Sequence, residues 1–383
     1  FFLSCTPQTE TSILVSQTFT TLCRYPMMIT YKELHDMNLP ELSRKSLPKS
    51  SSEAIFKALR KGLEETQFLT EHVLDVVTGK RGMEDGSVKQ ISSGFKNPGI
   101  DAASMFWFTL FMFVTVRVLQ ATVFPLISYI VGVRNTPGVK SQKVAKFAES
   151  CRELSFYCLT LFFSYKAFFD KSWMYNLDEM WKFDRQFLVD PAFKGLYFFE
   201  ASWYFSGMIS LFVDAKKKDF FQMLAHHVFT VLLLMISFHE SHMRVGAVVF
   251  VLHNISDPFL QIAKLFKYLF DASSKKKTLF DVISTIAFVC FMLAFFATRL
   301  VFYPQVIYSC HFRGPSYFFD RPHNLMEKSL IGLLTALLPI HLFWFYLIVK
   351  VAIKAVKGSS VEDTRSDSDE EDEAPPTKTK KTQ

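Results

Sequence analysis

The apolar residues of this chain fall in runs of roughly 20, the length an α-helix needs to cross a bilayer. "KKKDFFQMLAHHVFTVLLLMISF" is one of them. Of 383 residues, 50% are hydrophobic and 43 are Phe, more than a soluble protein of this length normally needs. The runs predict spans over residues 105–131, 154–169, 194–213, 220–238, 245–266, 279–303 and 329–356. The second is short and crosses only if the ends of 151–170 snorkel. The expected fold is all-α, a polytopic integral membrane protein of about seven transmembrane helices.

Lysine and arginine mark the cytosolic loops. Arg134, Lys140, Lys143, Lys146 and Arg152 follow the first span; Lys216, Lys217 and Lys218 lie in "DAKKKD"; Lys264, Lys267 and Lys275–Lys277 follow the fifth. The other loops are close to balanced. The alternation holds through seven spans and puts the C-terminus in the cytosol. The net charge of +7 is thereby a topology signal and not a nucleic-acid surface. The six cysteines form no CxxC and read as small apolar filler.

Residues 1–101 read as an N-terminal region that is mostly non-membrane, and 102–133 as the first transmembrane helix. Phe1 stands where a Met is expected, and Met27 or Met28 could be the start. "SSEAIFKALRKGLEETQFLTEHVLDVV" places Ile55, Leu59, Leu63 and Phe68 near helical spacing, which predicts a surface or interfacial helix. Residues 357–383 are acidic, then basic, with almost nothing apolar to bury, and are expected to be disordered. Ser366 and Ser368 precede acidic residues, a pattern acidophilic kinases read. The last four residues, "KKTQ", set Lys380 and Lys381 in the dilysine arrangement of an endoplasmic reticulum retrieval address.

Polar residues inside the spans are costly and ask for a reason. His226 and His227 lie in the fourth span; His253, Asn254, Ser256, Asp257 and Gln261 lie in the fifth. At about 1.5 Å per residue, His226 is about 10 Å from Asp219, and Asp257 is similarly far from Lys264. His226, His227, His253 and Asp257 can therefore converge at one depth in the cytosolic half. A single histidine would be bundle glue. Three with a carboxylate at matched depth point to a site. Adjacent histidines diverge by about 100° on a helix, so both do not easily bind one metal ion. Acyl transfer suits the set better: an imidazole takes a proton from an amine or attacks a thioester, and Asp257 orients it.

"HHVFTVLLLMISFHESHMRVGAVVFVLHNISDPFLQIAKLFKY" resembles the Lag motif of the ceramide synthases, polytopic proteins with a TLC domain. "KFAESCRELSFYCL", "YFFEASWYFSGMISLFVDAKKKDFFQMLAHH", "FFATRLVFYP" and "LLPIHLFWFYLI" are similar to the family's other stretches. The resemblance covers about 142–354 and implies a six-helix TLC catalytic bundle over 142–356. It implies a sphingoid base N-acyltransferase of the endoplasmic reticulum membrane, with fatty acyl-CoA and a sphingoid base as partners within membrane lipid. Acyl-CoA is then a substrate and no cofactor or metal is implied; a homo- or hetero-oligomer stays open. The family's residues carry onto His226, His227, His253 and Asp257 as catalytic, with Thr230, Arg244 and Asn254 in support. Lys216–Lys218 could draw CoA phosphates, although a positive-inside turn needs no such role. Asn254 stands where the motif has Asp, and Gln261 where it has Glu. If the first carboxylate is required, the chain is weak or inactive. A TLC-domain protein in lipid sensing or translocation is the non-enzyme alternative.

Overall fold

A computed structural model describes residues 49–83, 89, 91–92, 98–135, 142–181, 188–213, 219–272, 277–313 and 324–357. The expectations for Lys216–Lys218 and for the C-terminal tail with its "KKTQ" ending lie outside these residues. The fold is an all-α bundle, with one two-residue antiparallel bridge, Ile91–Ser92 against Leu188–Val189. In chain order the helices are α1 (Lys49–Val77), α2 (Pro98–Ala121), α3 (Val123–Ile130), α4 (Lys143–Phe168) and α5 (Pro191–Val213). They continue with α6 (Phe220–His239), α7 (Met243–Asn254), α8 (Asp257–Ala272), α9 (Lys277–Phe295), α10 (Tyr303–Phe312) and α11 (Leu325–Val356).

Among the described residues, five helical stretches are long and apolar enough to cross a membrane: Pro98–Ile130, Phe220–His239, Met243–Ala272, Lys277–Phe312 and Leu325–Val356. The other two expected spans, 154–169 and 194–213, are helical within α4 and α5 but are not among the five. The first half of α4 carries Lys143, Lys146, Glu149, Arg152 and Glu153. Helix α5 is enclosed: fifteen of its residues are buried, Lys194 and Glu200 among them. A helix walled by other helices needs no continuous apolar face toward lipid, so composition marks it weakly.

Helix α1 packs one face against α2 and α5. Its docked face is Gly62, Thr66, Leu69, Val73 and Val76, whereas Ile55 and Phe68 of the expected face are exposed. Small residues set this contact: a Cβ on Gly62 would collide with Ala103, and one on Gly195 would lie 2.7 Å from Val73. Thr66 meets Ser104 at 3.0 Å between hydroxyls, and Trp107 donates to the Leu59 carbonyl at 2.9 Å.

The start of α5 is tied by charge. Lys194 donates to Glu65 and, at 2.5 Å, to Asp101, and lies over the Phe198 and Phe238 rings. Asp190 is held by Arg81 through two bonds of 2.7 Å and accepts from the Ala192 N–H at 2.8 Å. Glu327 and Asn324 form a capping box at the start of α11, and Glu327 also meets His242 at 3.2 Å.

Candidate active site

A proline decides where the site forms. Pro258 has no N–H to continue the helical ladder, and its ring crowds the turn before it. The span therefore breaks between Asn254 and Asp257, leaving His253 on the last turn of α7 and Asp257 on the first of α8. The His253 carbonyl at this break accepts from Arg299 at 2.6 Å. The same guanidinium nitrogen meets both Asp257 oxygens, at 3.0 and 3.1 Å, and Ser256 donates to Asp257 at 3.0 Å. Arg299 sits in a π-helical turn, Phe296–Phe302, just ahead of Pro304. Such turns concentrate at functional sites because they displace a side chain from the regular register.

The paired histidines diverge as adjacent helical residues must. His226 faces α7 and α11, its ring 6.4 Å from that of His253 and 5.1 Å from Trp344. His227 turns to α5, where a Cβ on Gly207 would lie 2.7 Å from its Cε1. Tyr204 lies edge-on to both, at 6.2 and 5.9 Å. All three histidines are buried, with 8%, 9% and 5% exposure for His226, His227 and His253. His226 and His253 thus lie together, while His227 faces α5. Asp257 reaches them through Arg299 and the α7 end, without touching an imidazole.

His253 is fully occupied. Its Nδ1 lies 2.7 Å from the Val249 carbonyl, which can only accept, so Nδ1 carries the proton. In the neutral ring Nε2 is then an acceptor, and its partner is Nε2 of His341 at 3.0 Å. His341, fully buried one turn of α11 from Trp344, also packs on Tyr303 at 5.0 Å. By contrast, Nδ1 of His226, His227 and His341 has no partner among the described residues. Buried orphan nitrogens are rare and mark groups kept free for chemistry or strain.

Beside His253 runs an apolar cavity of about 40 Å³, lined by Leu233, Leu234, Val249, Phe250, Leu334 and Leu337. Thr230, Tyr204 and His253 line it too, and so do Tyr197 and Ser237, which are hydrogen-bonded to each other. Thr230 spends its hydroxyl on the His226 carbonyl of its own helix, at 2.8 Å. Arg244, at the far end of α7, lies over Trp173 at 5.7 Å and stands apart from the cluster. Asn254 donates to Glu200 at 3.0 Å, and Gln261 is buried further along α8.

Three participants were not singled out from the sequence: Arg299, Glu200 and His341. Each is an isolated ionisable residue in an apolar run, "FFATRLVFYP", "YFFEASWYF" and "LLPIHLFWFY". The cost of burial that flagged the paired histidines applies equally to these.

Comparison with known proteins fits this arrangement. The family model of the TLC domain matches residues 146–350, more than half of the chain. The chain belongs to the TLC domain family. The domain so defined contains every residue of the cluster. Over 232 residues the chain is 30% identical to human ceramide synthase 3, covering 60% of this chain and 57% of that protein. It is 29% identical to ceramide synthase hyl-2 of Caenorhabditis elegans, over 61% of this chain and 70% of the relative. It is also 29% identical to ceramide synthase LOH2 of Arabidopsis thaliana, over 60% and 77%. The chain thus spans little more than half the length of the first of these relatives.

Proposed function

We propose that this TLC domain is a sphingoid base N-acyltransferase that joins the acyl group of a fatty acyl-CoA to a long-chain base. The observation that carries the reading is a buried imidazole with an open ring nitrogen, His226, stacked 6.4 Å from His253, whose own ring lines an apolar cavity. An acyl-CoA has a charged head for water and a tail for hydrocarbon, so its thioester belongs at such a junction. His226 is the reacting group: its Nδ1 is open, whereas both nitrogens of His253 are engaged. In one route His226 takes the proton of the amine as nitrogen attacks the carbonyl carbon; the C–S bond breaks and CoA leaves as the thiol with that proton. In the other, His226 attacks first, CoA leaves as the thiol, and the amine displaces the imidazole while giving up its proton to it. His253 and His341 hold the neutral ring array, and Asp257 with Arg299 fixes the helix break that carries it. Residence in the endoplasmic reticulum membrane, with the C-terminus cytosolic, belongs to the same reading.

Purified protein given sphinganine and a panel of acyl-CoAs from short to very long should form the N-acylated base. No product with any acyl-CoA would contradict the reading and leave lipid sensing or translocation. Incubation with acyl-CoA alone separates the routes, because only the second adds an acyl mass to the protein.

A further inference from the structure

We propose that the indole N–H of Trp344 is the oxyanion donor of this site, the group that holds the acyl carbonyl oxygen as it takes on charge beside His226. The inference rests on the acyltransferase reading and deepens it, and it is the same for both routes. In each, the attacking nitrogen adds to the carbonyl carbon and the carbonyl electron pair moves onto oxygen. The tetrahedral oxyanion then collapses, the C–S bond breaks, and CoA leaves as the thiol with the proton that the attacking group releases. An oxygen that gains charge away from water needs a fixed donor. Trp344 lies on α11 with its ring T-shaped to that of His226, 5.1 Å between centroids, and is 8% exposed. Its Nε1 is buried without a partner among the described residues, as is Nδ1 of His226. An indole nitrogen donates and never accepts, so only an acceptor satisfies it. Buried indoles usually have one. In this chain Trp107 gives its N–H to the Leu59 carbonyl and Trp181 to the Ser309 hydroxyl. Trp173 also lacks a partner, but it stacks on Phe193 and lies under Arg244, at the end of α7 away from His253.

The face of α11 that carries Trp344 gives the donor its place. Leu330, Leu334, Leu337, His341 and Trp344 recur every three or four residues, so they form one stripe, and all five are buried. The three leucines line the apolar cavity, His341 bonds to the His253 ring, and Trp344 follows one turn on, against His226. At about 1.5 Å per residue, Trp344 stands about 10 Å beyond Leu337. An acyl chain laid along the leucines therefore brings its carbonyl end to the indole and the open imidazole together. The indole also packs with Phe291 and Phe295 of α9, which hold it in place before any substrate arrives. Arg299 has an open Nε as well, and its guanidinium is fixed on Asp257 and the His253 carbonyl; Trp344 is the donor in ring contact with the reacting imidazole. The perpendicular imidazole offers Nε1 no more than a weak π contact. A charged oxygen in apolar surroundings is a far stronger partner.

The test compares full-length wild type with Trp344→Phe and with a chain carrying benzothienylalanine at 344, which keeps the bicyclic shape and puts sulfur where the N–H was. Turnover, KM for acyl-CoA and for sphinganine, and melting temperature in detergent are measured on each. The infrared carbonyl band of bound acyl-CoA, isotope-labelled at the carbonyl carbon, is recorded on the same samples. Both replacements should lower turnover about 10²–10³-fold with both KM values little altered, and the benzothienyl protein should melt with wild type. The bound carbonyl should absorb at lower frequency in wild type than in either variant, because the bond from the N–H weakens C=O. A benzothienyl protein that turns over within a few-fold of wild type would overturn the proposal. So would a carbonyl band that stays in place when the N–H is removed. A purely structural Trp344 would instead lower the melting temperature of Trp344→Phe and leave the benzothienyl protein fully active. If Trp344→Phe does not fold, the benzothienyl protein decides. If wild type forms no product with any acyl-CoA, the acyltransferase reading falls, and the band decides for Trp344: moved by loss of the N–H, the contact with the acyl carbonyl stands; unmoved, it fails.

Discussion

At the N-terminal end of α5, Lys194 lies against Glu65 and Asp101, and Asp190 takes two bonds of 2.7 Å from Arg81. Around its C-terminal half, His226, His227 and His341 each keep a ring nitrogen without a partner among the described residues. Both regions bury polar groups. In the first, cations and carboxylates are brought together and bind the N-terminal segment to the bundle. In the second, neutral rings are stacked and hydrogen-bonded at one face and left open at another. The first arrangement spends its polar groups on the fold, while the second holds some in reserve for a substrate. One bond pattern blurs the division: Arg299–Asp257 is a fold-type ion pair placed inside the chemical region.

Substitutions can break or sharpen that contrast. Arg299→Leu has the largest expected effect because it touches both sides of it. Loss of the cation strands a half-buried Asp257 and frees the His253 carbonyl, which should cost about 3–5 kcal/mol and abolish activity in whatever protein remains folded. Thermal unfolding in detergent and acylation per folded molecule measure the two losses. Lys194→Met strands two carboxylates and should cost a similar amount, about 3–5 kcal/mol, yet leave turnover per folded molecule near wild type. A turnover collapse in folded Lys194→Met would erase the distinction between the regions.

Gly207→Ala is milder and more selective. Its Cβ would stand 2.7 Å from the His227 ring, so the ring or the helices must give way, at about 1–3 kcal/mol. Turnover should fall about tenfold if His227 needs its present seat. Thr230→Val should do least. It removes a hydroxyl that bonds only its own helix, so stability should shift by no more than about 1 kcal/mol and turnover only slightly.

The sequence carried the bundle wherever a helix faces lipid, because apolar length is then obligatory; α6 and α11 were plain in it. It gave 194–213 in α5 as a span as well, although this helix is not among the five long and apolar enough to cross a membrane and buries Lys194 and Glu200 against protein. It gave α1 as a surface or interfacial helix but did not show the face that docks, whose signal is the absence of side chains at Gly62 and Gly195 and not a row of large ones. Within the site, His226, His227, His253 and Asp257 were legible because they cluster along two adjoining spans. Their pairings were not: that Asp257 takes Arg299, and His253 takes His341, depends on contacts across 42 and 88 residues. The orientation of Asn254 toward Glu200, 54 residues earlier, was equally out of reach of spacing.

The division between the two regions comes down to His226. Its substitution by alanine removes a side chain whose Nδ1 has no partner among the described residues, so the melting temperature in detergent should change little while N-acylation per folded molecule falls by about 10²–10⁴-fold. A His226→Ala protein that is depleted or unstable but acylates at the wild-type rate per folded molecule would show that the imidazole belongs to the fold, and the chemistry would have to be sought elsewhere.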